Sequence, residues 1–184
     1  MQDSLSSFLK FETKQLHNEV EGRLNAHKLL TDEVTPMDYQ KHIELLLLGH
    51  KKIDEALLRF KDNPLLNDFW PNEAFTELLK KDKAQFSISS HNEHNHELPV
   101  FFSNWQQALG ALYVVNGASL GRKFIANKMG IHFKNWGLHP FFYTTDNKAF
   151  SWPVFKKNLD ALCEANIDRQ EVLIGAKQAF LSFV

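Results

Sequence analysis

Trp105-Gln-Gln-Ala-Leu-Gly110-Ala-Leu-Tyr-Val-Val-Asn-Gly117-Ala-Ser-Leu-Gly121-Arg-Lys-Phe-Ile-Ala-Asn-Lys128 places three glycines inside one helix-forming stretch. At about 100° per residue, all three fall within roughly 20° of one line along a helix. A helical glycine costs about 1 kcal/mol relative to alanine, so the stripe costs roughly 3 kcal/mol. Something must press against the bare backbone to offset that cost. Two readings stay open at this point: a second helix packed at short range, or a large flat ligand lying across the helix.

Working outward, the pattern is helical nearly throughout. Leu5, Phe8, Leu9, Leu16, Val20 and Leu24 predict a first helix from about Ser4 to Arg23, with Gly22 and Asn25 as stop signals. A short turn is expected over Ala26 to Leu30. Thr35-Pro36 then opens a long helix, because Thr caps well and Pro is tolerated in the first turn. Asn63-Pro64 ends it. Glu73 to Lys81, Asn104 to Lys128, Trp152 to Glu164 and Asp168 to Phe183 read as further helices, and Gly130 to Asn147 as an irregular aromatic segment. The polar run Ser87 to Pro99 reads as a loop. Two-residue alternation never persists, so no sheet is expected. The fold class is all-α, a multi-helical bundle in one domain over residues 1–184.

Composition narrows the function. Hydrophobic residues make up 43% of the 184, which excludes a disordered chain. Twenty-one basic against 22 acidic residues give a net charge of -1, with no basic run or finger motif, so nucleic acid is not an expected partner. Cys163 is the only cysteine, which rules out a disulfide framework within one chain and fits a reducing cytoplasm. The N-terminus lacks a charged leader with a long apolar core, and the run Leu45 to Leu48 is far too short for a membrane span. Neither a signal peptide nor a membrane helix is expected.

Lys10, Thr13, Lys14, His17 and Glu21 recur at helical steps and therefore share one face of the first helix. Such a face is ordinarily a solvated stripe. It also has the parts of a metal-ligand site. An imidazole binds haem iron through one nitrogen. Its other N–H wants an acceptor, which Glu21 supplies one turn on. Lys10 and Lys14 suit anionic propionates. A porphyrin is also the flat object a glycine stripe would accommodate.

Leu9-Lys10-x-x-Thr13-Lys14-x-x-His17-x-x-x-Glu21 resembles the proximal-helix motif of the haem oxygenase family, in particular its bacterial biliverdin-forming branch. Gly110-Ala-Leu-Tyr113-Val-Val-Asn-Gly117-Ala-Ser-Leu-Gly121 resembles its distal-helix motif. Trp152-Pro-Val-Phe155-Lys-Lys-Asn-Leu159 and Ala176-Lys-Gln-Ala-Phe180 resemble later signatures, so the likeness runs from about residue 5 to 183. The resemblance implies haem held between the first and distal helices, with His17 as proximal iron ligand. Gly117 and Gly121 would be the catalytic distal wall, with Gly110 serving helix packing. Lys10, Lys14, Thr13, Glu21, Tyr113 and Arg122 would be the cofactor-binding set. The implied reaction opens haem to biliverdin, carbon monoxide and ferrous iron, consuming oxygen and electrons from an external donor such as a ferredoxin or reductase. A histidine ligand, unlike a thiolate, does not push electron density toward O–O cleavage.

The chain departs from the family pattern twice. Arg122 stands where many members carry a second adjacent glycine. It lies about 100° off the stripe, which leaves it pointing aside, meeting a propionate or crowding the slot. Ala118 stands where some members place a water-anchoring aspartate, with Asn116 and Ser119 as nearby substitutes. The alternative these changes motivate is a haem carrier or sensor of the same fold with little turnover. Other candidates read more plainly. His91, His94 and His96 form His-x-x-His-x-His in a hydrophilic loop. His42 and His50 suit a buried role on the long helix, Trp70, Trp105, Trp136 and Trp152 are core anchors, and Cys163 is small packing.

Overall fold

Thr35 illustrates how local chemistry sets the framework. Its hydroxyl accepts from the Asp38 N–H at 3.2 Å while the Asp38 carboxylate accepts from the Thr35 N–H at 2.9 Å, a reciprocal cap with Pro36 in the first turn. From it α3 runs Pro36–Leu57. In the computed structural model, the described residues are 4–71, 74–86, 100–145, 151–164 and 167–184. The other helices are α1 (Leu5–Glu12), α2 (Lys14–Arg23), α4 (Phe75–Lys83), α5 (Trp105–Gly117), α6 (Ser119–Trp136), α7 (Phe141–Thr144), α8 (Trp152–Glu164) and α9 (Arg169–Leu181). Short 3₁₀ turns cover Ala26–Leu30, Leu58–Phe60 and Pro64–Phe69. Among the described residues there is no strand, so the architecture is all-α as expected.

α5 is the central rod. Every residue from Gln107 to Asn116 is buried, the mark of a helix apolar on all sides. Leu109 and Leu112 are fully enclosed, each worth about 1.5–3 kcal/mol by burial. Against α5 lies α9, capped by Asp168, whose carboxylate accepts from the Gln170 N–H at 2.9 Å. A Cβ added to Gly110 would stand 1.9 Å from the Val172 carbonyl oxygen, and one added to Gly175 would stand 1.9 Å from that of Gln107. The two helices therefore touch backbone to backbone at reciprocal glycines. Glu171 stitches this crossing, accepting from Asn104 Nδ2 at 2.5 Å and Gln107 Nε2 at 2.8 Å. At Gly110 the packing reading of the stripe is the correct one.

Several boundaries differ from expectation. The first helix is interrupted at Thr13, which carries φ -102° and ψ 1° while its hydroxyl donates to the Leu9 carbonyl at 2.7 Å. The distal helix is interrupted at Ala118, which divides α5 from α6. α6 then continues past Gly130 to Trp136, because helical glycine is a cost and not a stop. Gly137, at φ +68°, ends it in the left-handed conformation that glycine takes at no steric cost. α7 and the turn Pro64–Phe69 lie in segments read as irregular or as a helix terminus. The run 87–99, with His91, His94 and His96, lies outside the described residues, as does the side chain of Cys163.

Candidate functional site

The proximal and distal helices come together, and between them lies an open groove of about 490 Å³. α2 supplies Asn18, Glu21 and Gly22, and the following turn supplies Ala26, His27 and Leu30. The opposite wall is α6, through Gly121, Phe124 and Ile125. A Cβ built on Gly121 or on Gly22 meets no heavy atom within 4 Å. Each wall thus presents an unfilled glycine. Phe124 and Leu30 leave apolar surface exposed beside them. An apolar cleft with a few polar groups at its rim is the usual form of a small-molecule site.

His17 does not itself line the groove. Its Nδ1 lies 3.7 Å from Oε1 of Glu21, which does, and the imidazole is half-exposed. Its ring meets Phe180 of α9 edge-on at 5.9 Å. With Nδ1 facing the carboxylate, the other ring nitrogen is the one left for a ligand. Lys10 and Lys14 are exposed on the preceding turns. These residues are of the types that suit haem: an imidazole beside a carboxylate, exposed cations upstream, and a neighbouring groove whose far wall carries an unfilled glycine. Among the described residues no group of three or more His, Cys, Asp or Glu side chains could hold a metal ion.

Three members of the expected set lie elsewhere. Thr13 is buried, its hydroxyl taken by the Leu9 carbonyl, and it does not share the exposed face of Lys10, Lys14 and His17. Tyr113 is buried against Trp152, with ring centroids 5.5 Å apart, and burial pushes its phenol up to about 12. Arg122 is buried and points aside. Its Nε donates to the Phe142 carbonyl at 2.5 Å and its Nη2 to that of Thr145 at 3.3 Å, while the guanidinium lies over the rings of Phe75 and Phe142 at 4.9 and 4.7 Å. It neither crowds the groove nor reaches into it. Gly117 is intermediate: a Cβ there would touch the Trp152 indole at 3.6 Å. Asn116, considered as a stand-in for a distal aspartate, is buried and donates to the Phe69 and Leu112 carbonyls, both at 2.8 Å.

Gly22, Ala26, Phe124 and Ile125 were not expected in the site. The four-residue steps Asn18, Gly22, Ala26 and the steps from Gly121 to Phe124 and Ile125 are the signals that carry them. Gly22 reads as a helix stop, the default meaning of an exposed glycine near a helix end, and α2 does end at Arg23; its place in the groove is additional.

A family model described as Heme oxygenase matches residues 3–184. The chain belongs to the haem oxygenase family. No curated protein and no solved structure matches it. No described helix is long and apolar enough to cross a membrane.

Proposed function

We propose that this chain is an active haem oxygenase, opening haem to biliverdin, carbon monoxide and ferrous iron with oxygen and electrons from an external donor. The observation that carries the reading is the groove between α2 and α6. On one side Glu21 lines it, with His17 next to Glu21 at 3.7 Å, and on the other stands Gly121, where an added Cβ would meet nothing within 4 Å. Bound haem would supply both the iron at which oxygen is activated and the ring that is cleaved. The protein's part is binding, orientation and exclusion. His17 would hold the iron through the nitrogen turned from Glu21, and Glu21 would favour that orientation of the ring. Lys10 and Lys14 meet the propionates as point charges. Gly121, with Gly117 beside Trp152, lets backbone approach the macrocycle closely and places no basic side chain over it. Lys10, Lys14, Lys123 and Lys128 are exposed cations available to an acidic electron donor.

Titrating hemin into wild type and His17→Ala tests the site. Wild type should develop a strong Soret band that His17→Ala weakens by at least tenfold in affinity. Reductant and oxygen should then replace that band with biliverdin absorbance. A second reading, a carrier or sensor without turnover, is favoured by Ala118, which brings no side-chain acceptor to the distal kink. Persistence of the Soret band under reductant and oxygen would select it.

A further inference from the structure

Behind the groove, the four-residue helix α7 is tied to both of its walls. On the proximal side, Leu24 closes α2 two residues after Gly22, and its carbonyl accepts from His42 Nδ1 at 2.8 Å. That bond makes Nδ1 the donor, so Nε2 accepts from the Tyr143 hydroxyl of α7. Burial pushes the His42 ring down to about 4, which keeps it neutral in this role. On the distal side, Arg122 follows Gly121 directly and donates to the carbonyl of Phe142 in α7 and to that of Thr145, which caps it. α7 is itself fixed from beneath. The Asp82 carboxylate of α4 accepts from the Phe141 and Phe142 N–H groups at 2.6 and 2.9 Å.

We propose that α7 is a brace setting the width of the groove, and that Arg122, Tyr143 and His42 are positioning residues that hold Gly121 at a fixed distance from Gly22. The chain of contacts runs Leu24, His42, Tyr143, Phe142, Arg122. Its two ends sit within two residues of the two unfilled glycines. Arg122 suits the task because a guanidinium donates in two directions and lies flat on rings, here those of Phe75 and Phe142. The residue that breaks the family's paired-glycine pattern thereby acts on the site from outside it. Its link to haem rests on the proposed function; its effect on the groove does not.

The test compares Arg122→Met, Arg122→Lys and Tyr143→Phe with wild type. Amide hydrogen exchange on the haem-free protein should quicken by at least tenfold across residues 119–126 in Arg122→Met. The lysine variant, which keeps one donor, should fall between, and Tyr143→Phe should show a smaller acceleration there. Exchange in α5 and α9 should match wild type throughout. Hemin binding should weaken about tenfold in Arg122→Met, with the high-spin to low-spin ratio of the complex shifted and partly restored in Arg122→Lys. Unchanged exchange at 119–126 in both Arg122→Met and Tyr143→Phe overturns the brace. So does an acceleration spread evenly over α5 and α9, since that reports general destabilisation. A wild-type protein that takes up no hemin removes the haem reading, while the exchange results still decide the brace.

Discussion

Two helix crossings in this molecule use glycine on both partners and end in opposite states. Where α5 meets α9, Gly110 and Gly175 let main chain touch main chain, and an added Cβ would collide at 1.9 Å. Where α2 faces α6, Gly22 and Gly121 leave a groove, and an added Cβ would meet nothing. In the first crossing, dispersion and burial offset the conformational cost of glycine. In the second, the protein alone offers no such offset. The residue type is the same, so glycine in a helix does not by itself report a ligand. The space its missing Cβ leaves is the informative quantity.

The strongest way to break the contrast is Gly110→Ala. The new methyl would face a main-chain oxygen that no rotamer change can move, so stability should fall by about 3 kcal/mol or more. Urea denaturation checks it, and a loss under about 1 kcal/mol would mean the crossing is loose. Acid sharpens the contrast next. His42 and His50, both on α3, are buried and pushed down to about 4, His50 chiefly by burial and then by Arg122. In the unfolded chain they titrate near 6.5, so each loses its contribution as pH falls from about 6.5 to 4. Asp82 acts oppositely: burial raises it to about 6, so it gains relative stability over roughly pH 6 to 4. The two histidines outweigh Asp82, so stability should fall as pH drops from about 6.5 to 4. Protection factors from exchange followed against pH should therefore fall in α3 and α7, which carry or bond the titrating histidines, before α5.

A milder probe is Gly121→Ala. With open space around it and a better helix former in place, the haem-free protein should gain up to about 1 kcal/mol. Hemin affinity should drop at the same time. Opposite signs from one substitution, read by thermal denaturation and by titration, would mark the site as functional. A gain in both would show that the glycine serves no ligand. The smallest effect belongs to Glu21→Gln. The His17–Glu21 pair is half-exposed, so stability should change by less than about 0.5 kcal/mol. The same change should alter the absorbance of the hemin complex through the imidazole it orients.

What the sequence made readable follows from what is local. The Thr35 cap, the helical periods and the spacing of Lys10, Lys14, His17 and Glu21 depend on neighbours within a turn or two, and all could be read directly. Membership of the family was also legible, through two motifs in the right order. The kinks at Thr13 and Ala118, the continuation of α6 past Gly130 and the existence of α7 depend on tertiary contacts. Arg122 shows why most clearly. Its helical angle left three destinations open, and only the rings of Phe75 and Phe142 and the carbonyl of Phe142 in α7 decide among them. Gly22 and Asn25 do mark the end of the first helix, since α2 stops at Arg23. That Gly22 also lines the groove was not legible, because the facing wall lies about a hundred residues away in sequence.

The reciprocal contact of α5 and α9 also constrains how this chain can drift. Gly110 abuts the backbone at Val172 and Gly175 abuts the backbone at Gln107, so a side chain gained at either site is resisted by atoms that substitution cannot remove. No partner mutation can compensate, because the obstacle is common to all twenty residues. Lineages that retain this arrangement should hold both glycines together or abandon the two helices' close approach altogether.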